Sequence, residues 1–168
     1  NLTVTDANGC IATGTGTIVE PTALSATNSA INISCNGAQD GSIDLTVSGG
    51  TPGYTYLWND PSNTTNEDVT NLNAGTYSVI ITDNNNCTLT YTVTLTEPSA
   101  LIANATVTTP ITVNGGTGVI TVSATGGTPN YNGTGTFTVT SGTYTYTVTD
   151  ANGCSTTTSV TITEPNAL

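Results

Sequence analysis

The chain carries one segment three times, and this internal repeat constrains its fold more than any other feature. In the middle copy, Asp83-Asn-Asn-Asn-Cys87 is followed by alternating threonine and apolar residues and then by Glu97-Pro-Ser-Ala-Leu101. The same order of motifs occupies residues 6–24 and 150–168. In each copy the glutamate lies 10 residues after the cysteine. A repeated order of motifs is typical of a tandem array of one structural unit.

These copies divide the chain into three parts. We interpret residues 1–24 as the C-terminal strands of an upstream repeat, residues 25–101 as a complete β-sandwich repeat, and residues 102–168 as a second, shorter β-sandwich repeat. Compared with the complete repeat, the shorter one lacks ten residues between Tyr131 and Gly142. The deletion removes the counterpart of Trp58, so we expect a smaller core and one edge strand or loop fewer.

Composition favours strands and excludes several functions. Threonine, which is branched at Cβ and favours strands, contributes 41 of the 168 residues. All 11 charged side chains are acidic, so nothing can neutralise nucleic-acid phosphates or attract anionic membranes. No apolar run approaches the roughly 20 residues of a membrane helix, and we expect no membrane insertion. Without histidine, lysine or arginine, His-based triads and Schiff bases are impossible, and we expect no enzyme and no catalytic residue.

Alternating apolar residues predict an all-β fold of tandem immunoglobulin-like Greek-key β-sandwiches. The segment Leu72-Asn-Ala-Gly-Thr-Tyr77 resembles the tyrosine corner of such sandwiches. In the complete repeat the predicted core residues are Ile43, Leu45, Val47, Tyr54, Tyr56, Trp58, Leu72, Tyr77, Val79, Ile81, Tyr91 and Val93. In the shorter repeat they are Tyr144, Tyr146, Val148, Val160 and Ile162.

Six motifs follow one another along the complete repeat. They are Ser34-Cys-Asn-Gly37, Asp40-Gly-Ser-Ile43, Gly49-Gly-Thr-Pro-Gly-Tyr54, Leu72-Asn-Ala-Gly-Thr-Tyr77, Thr82-Asp-Asn-Asn-Asn-Cys87 and Thr96-Glu-Pro98. This order resembles the SprB repeat, which recurs in very large surface adhesins of gliding Bacteroidota. The resemblance covers residues 25–101 and, within residues 102–168, mainly the second half. The first half of residues 102–168 lacks the first cysteine, since Thr112 or Val113 stands near its place. It implies an extracellular protein of the bacterial cell surface, secreted by the type IX system, with immunoglobulin-like repeats serving as stalk or adhesin in gliding motility.

The four cysteines suggest disulfides in an extracellular β protein. In a head-to-tail array of such sandwiches, the first turn of one repeat faces the last hairpin of the next, which favours a Cys35–Cys154 bond. The partners of Cys10 and Cys87 would then lie upstream. The alternative is a Cys35–Cys87 bond within one repeat, and free thiols are a third possibility.

Two further clusters have competing interpretations. Ca²⁺ binds six to eight oxygens, and its weak candidate ligands are Asp40, Asp83, Asn85, Asp150 and Asn152. The same residue types form turns, and we expect no cofactor. Tyr54, Tyr56 and Trp58 share one strand face, where they are interpreted as core and alternatively as a platform for stacking sugars.

The sequence therefore predicts a structural stalk or fibre segment of a large secreted cell-surface adhesin. Its partners would be neighbouring repeats of the same chain and also other copies of the fibre or surface polysaccharide. Prolines in the Glu-Pro-X-Ala-Leu linkers restrict the backbone, so we expect a rod-like array. The alternatives are a carbohydrate-binding module and a self-associating extracellular filament subunit.

Overall fold

A computed structural model describes residues 1–167, in which all regular secondary structure is β-strand. Strands β1 (Leu2–Thr5) and β2 (Ile11–Gly14) pair antiparallel as a hairpin whose side chains are exposed. The predicted end of the third part at Leu168 lies outside the described residues. Within residues 1–167 there is no helix of the length and hydropathy needed to cross a membrane.

The first sandwich consists of two three-stranded antiparallel sheets. Its strands are β3 (Ser25–Ile31), β4 (Gly41–Ser48), β5 (Thr55–Trp58), β6 (Val69–Leu72), β7 (Gly75–Thr82) and β8 (Thr88–Leu95). One sheet has the order β3-β4-β6 and the other β5-β7-β8. These are the orders of strands A, B, E and of strands C, F, G in the immunoglobulin sandwich. The prediction of an all-β sandwich architecture is confirmed.

The second sandwich repeats this plan with one strand fewer. Its strands are β9 (Ile102–Thr109), β10 (Gly118–Thr125), β11 (Gly135–Val139), β12 (Gly142–Thr149) and β13 (Ser155–Ile162). They form a sheet β9-β10-β11 and a two-stranded sheet β12-β13. The counterpart of β5 is reduced to a single bridge between Asn132 and Thr149. The ten-residue deletion thus removes an edge strand, as the sequence predicted.

The core of the first sandwich is built from the inward faces of both sheets. Its predicted residues Ile43, Leu45, Trp58, Leu72, Tyr77, Val79, Ile81 and Val93 are buried. Val47, Tyr54, Tyr56 and Tyr91 are half-buried and pack against this cluster. Ile33, Val69 and Leu95 also belong to the core although they were not among the predicted residues. Ile33 follows the end of β3 and donates its backbone N–H to the Thr96 carbonyl, outside the alternating pattern of a strand.

The core of the second sandwich compensates for the missing tryptophan with two larger side chains. Val148 and Ile162 are buried as predicted, and Tyr144, Tyr146 and Val160 are half-buried against them. Phe137 of β11 pairs with Ile120, as Val69 of β6 pairs with Ile43 in the first sandwich. The rings of Phe137 and Tyr146 contact each other, with centroids 4.6 Å apart. Phe137 and Tyr146 therefore add aromatic volume at the positions that Val69 and Val79 occupy in the first sandwich.

Candidate functional site at the junction between repeats

The first turn of the first repeat holds the chain where it leaves that repeat. The Gly37 backbone N–H donates to Glu97 Oε2 at 2.6 Å. The Asn36 side-chain amide donates to the Pro98 carbonyl at 3.1 Å. We call this pair of contacts the Asn-Gly clamp. It fixes the direction in which the Glu-Pro linker departs from β8.

The second repeat has the same clamp. Gly115 N–H donates to Glu164 Oε2 at 2.6 Å, and the Asn114 amide donates to the Pro165 carbonyl at 3.1 Å. The second repeat therefore keeps both contacts even though it lacks the neighbouring cysteine. This role was not predicted from the sequence, although Asn-Gly and Glu-Pro recur in both repeats.

Each linker then passes beside a glycine turn, which follows the second strand of the repeat that the linker enters. Gly127 N–H donates to the Ser99 carbonyl at 2.8 Å, and Gly50 N–H donates to the Thr22 carbonyl at 2.7 Å. Gly126 has a φ of +73°, and a Cβ on it would lie 2.0 Å from the Ala100 carbonyl oxygen. Only glycine allows the linker to lie this close to the turn.

A buried aspartate closes the hairpin beside this turn. Asp150 Oδ2 accepts from Thr128 N–H at 2.8 Å, and its Oδ1 accepts from the N–H groups of Asn152 and Cys154 at 2.9 Å each. The bond from Thr128 is the largest of several backbone hydrogen bonds that lower the pKa of Asp150. The aspartate therefore holds hairpin and glycine turn together as an anion.

The first repeat reproduces this arrangement. Asp83 Oδ2 accepts from Thr51 N–H at 2.8 Å, and its Oδ1 accepts from Asn85 and Cys87 N–H at 2.9 and 2.8 Å. The bond from Thr51 leads the causes that lower the pKa of Asp83. Each repeat therefore has one buried carboxylate at the end that receives the linker.

A disulfide joins the two repeats at this junction. Cys35, in the first turn of the first repeat, is bonded to Cys154, in the last hairpin of the second. The Asn152 side-chain amide adds a hydrogen bond of 2.9 Å to the Ser34 carbonyl. Beside the bond lies an open cleft of about 400 Å³, which Ala100 and Leu101 also line. This is the pairing between repeats that the sequence analysis favoured, and the pairing of Cys35 with Cys87 is absent.

The candidate Ca²⁺ ligands form hydrogen bonds within these turns and between them. Asp40 accepts hydrogen bonds from the Ser34 hydroxyl and backbone N–H, and the hydroxyl bond is the main cause of its lowered pKa. Asn152 contacts the same Ser34, whereas Asp83 and Asn85 lie in the hairpin of the first repeat. Among the described residues, no three acidic, histidine or cysteine side chains come together to hold a metal ion. The geometry favours turn formation for these residues.

The aromatic strand does not form an open platform. The Trp58 side chain is buried, and its Nε1–H donates to the Asn66 carbonyl at 3.0 Å. The Tyr54 hydroxyl donates to the Gly49 carbonyl at 2.6 Å. Burial, followed by the neighbouring Glu67 carboxylate, raises the pKa of Tyr56 to about 12. The interpretation as core is therefore correct for Trp58, whose ring cannot stack on a sugar.

Comparison with known proteins agrees with the repeat assignment and with the fold. A search of the curated proteins finds no match to the chain. One solved structure of similar fold is that of three N-terminal domains of the bacteriophage RB49 highly immunogenic outer capsid protein (Hoc). The TM-score is 0.51 and the identity 19%, over 83% of this chain and 59% of that chain, so the likeness concerns the fold alone. Residues 27–63, a shorter span than the resemblance seen in the sequence, match the family model of the SprB repeat, and the first sandwich is thereby identified as similar to that repeat.

Proposed function

We propose that this chain is a structural stalk segment of a large secreted cell-surface adhesin. The match of residues 27–63 to the SprB repeat supports a repeat region of such a protein. The Cys35–Cys154 disulfide supports an extracellular location, because disulfides persist in oxidising compartments. On this proposal the repeats form an extended stalk, whose length is its function.

The main support for the proposal is the set of contacts at the junction between the two repeats. Six residues, 96–101, which include the Glu-Pro linker at 97–101, connect the last strand of one repeat to the first strand of the next. The linker is held at its start by the Asn-Gly clamp and at its end by the glycine turn. The disulfide adds a second covalent attachment. Such a joint restricts bending between neighbours, which is what a stalk requires.

A non-enzymatic role agrees with the chemistry of the side chains. The chain has no histidine, lysine or arginine. Its buried carboxylates at positions 60, 83 and 150 accept backbone hydrogen bonds within their own turns. Carboxylates used in this way are unavailable as a general acid or base.

Antibody labelling of intact cells tests the location. Antibodies raised against residues 25–101 should label intact cells of the source organism, and permeabilisation should not increase the labelling. Labelling that requires permeabilisation would refute the cell-surface proposal. A cytoplasmic protein assayed in parallel controls for cell integrity.

Binding and assembly assays separate the stalk from its alternatives. The purified chain should bind no glycan on an array of bacterial and algal polysaccharides and should remain monomeric in light scattering. Saturable binding to one glycan class would favour the carbohydrate-binding module. Fibres visible by electron microscopy would favour the self-associating filament.

A further inference from the structure

The hairpin of the first repeat has the geometry of the bonded hairpin but carries a free cysteine. In both hairpins the aspartate accepts backbone N–H bonds from the second and the fourth residue after it. In the second repeat the fourth residue is Cys154, which is bonded to Cys35. In the first repeat it is Cys87, an exposed free thiol. The two cysteines therefore occupy equivalent places in equivalent turns.

The surroundings of the two cysteines are equivalent as well. Beside Cys154, the cleft is lined by the incoming linker at Ala100 and Leu101, with Cys35 and Asn36 as its further wall. Beside Cys87, a cleft of about 320 Å³ is lined by the preceding linker, including Ala23 and Leu24. These linker residues correspond one to one, but within residues 1–167 no first turn of another repeat lies at the second cleft.

We infer that the Cys87 hairpin is a docking site for the first turn of another repeat of the Ser-Cys-Asn-Gly type. Cys87 would form the disulfide that Cys154 forms with Cys35. The Asn85 amide would turn from its present partner, Thr51 Oγ1 at 2.8 Å, to the carbonyl before the incoming cysteine, as Asn152 does with Ser34. The first repeat is then braced at both ends.

The chemistry of the bond is a two-electron oxidation. The thiols of Cys87 and of the incoming cysteine lose two protons and two electrons as the S–S bond forms. A disulfide oxidant such as oxidised glutathione accepts both electrons and is released as two thiols, through a mixed disulfide. This inference deepens the proposed function and rests on it only for its biological setting. Disulfide mapping of the purified protein tests it independently of location or adhesion.

The test inserts a second copy of residues 25–101 between Leu101 and Ile102 of the full chain. The inserted copy then follows Glu-Pro-Ser-Ala-Leu, as the original follows Glu20-Pro-Thr-Ala-Leu24, so the new joint has the natural length. The protein is oxidised in a glutathione buffer and mapped under non-reducing conditions, with a protease that cleaves at aromatic residues. We expect two disulfides, one from Cys35 of the first copy to Cys87 of the inserted copy and one from Cys35 of the inserted copy to Cys154.

A matched variant carries Cys87→Ser in the inserted copy only. It should leave Cys35 of the first copy as a free thiol while the bond to Cys154 persists, which also shows that the array has folded. The inference is overturned if the unsubstituted array retains the Cys154 bond but yields Cys35 of the first copy and Cys87 of the inserted copy as free thiols. A bond between Cys35 and Cys87 of the same copy would overturn it equally, as would the absence of the Cys35–Cys154 bond from the unmodified chain.

Discussion

Two tyrosines of the sandwiches differ in what their hydroxyl groups contact. The buried Tyr77 hydroxyl donates to the Asn73 carbonyl at 3.0 Å, the bond of a tyrosine corner, whereas the buried Tyr146 hydroxyl has no hydrogen-bond partner among the described residues. We expect Tyr77→Phe to lower the free energy of unfolding by about 0.5–1.5 kcal/mol, because a hydrogen bond is lost. Tyr146→Phe should be neutral or slightly stabilising, because it removes an unpaired polar group. Calorimetry of both variants checks this, and an equal loss in both would contradict it.

The buried carboxylate of Asp83 makes stability depend on pH in a defined direction. Its hydrogen bonds, led by that from Thr51, hold its pKa below the ordinary value. The stabilisation is therefore complete above the unfolded-state pKa of about 3.9, and it is lost as the pH falls through the lower folded-state value. We expect Asp83→Asn to destabilise the protein at pH 7 and to differ progressively less from wild type below about pH 4.

Asp44→Asn is the matched control, since it removes the same charge from an exposed position of β4. Urea unfolding, followed by Trp58 fluorescence between pH 7 and 3, gives the difference in unfolding free energy between each variant and wild type. If the loss of unfolding free energy in Asp83→Asn stayed constant across that range, the ionised form of Asp83 would not be the form that stabilises the protein.

At the scale of a single element, the glycine turn that receives the linker tolerates no side chain. A Cβ at position 126 would lie 2.0 Å from the Ala100 carbonyl oxygen, and the backbone there has a positive φ. We expect Gly126→Ala to destabilise the second repeat by several kcal/mol, since both the linker and the backbone must shift. Gly115→Ala measures the free-energy cost of the backbone conformation alone, because Gly115 also has a positive φ but, among the described residues beyond its chain neighbours, no atom lies within 4 Å of the added Cβ. It should cost about 1 kcal/mol, and equal thermal shifts in the two variants would exclude a clash with the linker.

The elements that sequence reasoning predicted are those with a local pattern. Alternating residues in β4 and β7 place Ile43 and Val79 in the core, and a short motif gives the tyrosine corner. Val69 was missed because it follows a polar loop and stands in a strand of only four residues. The Asn-Gly clamp was missed because Gly37 and Glu97 are 60 residues apart, and a single sequence does not reveal which side chain reaches which turn. The Cys35–Cys154 pairing was accessible only because the repeat indicated which ends of neighbouring units face each other.

At the scale of the whole molecule, the two repeats are joined by two covalent connections. One is the linker from Glu97 to Leu101, and the other is the Cys35–Cys154 disulfide, whose partners are 119 residues apart in sequence. In the chain-entropy model, a disulfide that closes a loop of that length in the unfolded chain raises the free energy of unfolding by about 4–5 kcal/mol. The smaller core of the second repeat has less stability of its own, so it should depend more on this bond.

We therefore expect Cys154→Ser to lower the unfolding temperature of the second repeat more than that of the first and to widen the range of angles between the repeats. With the bond intact, residual dipolar couplings from both repeats should fit a single alignment tensor. In Cys154→Ser they should require two, because a joint held by the linker alone can bend. Cys87→Ser is the control, since it makes the same substitution at a thiol outside the bond and should change neither result. A single tensor in Cys154→Ser would mean that the Asn-Gly clamp and the glycine turn hold the junction rigid without the disulfide, and stiffness would then reside in the repeated hydrogen bonds.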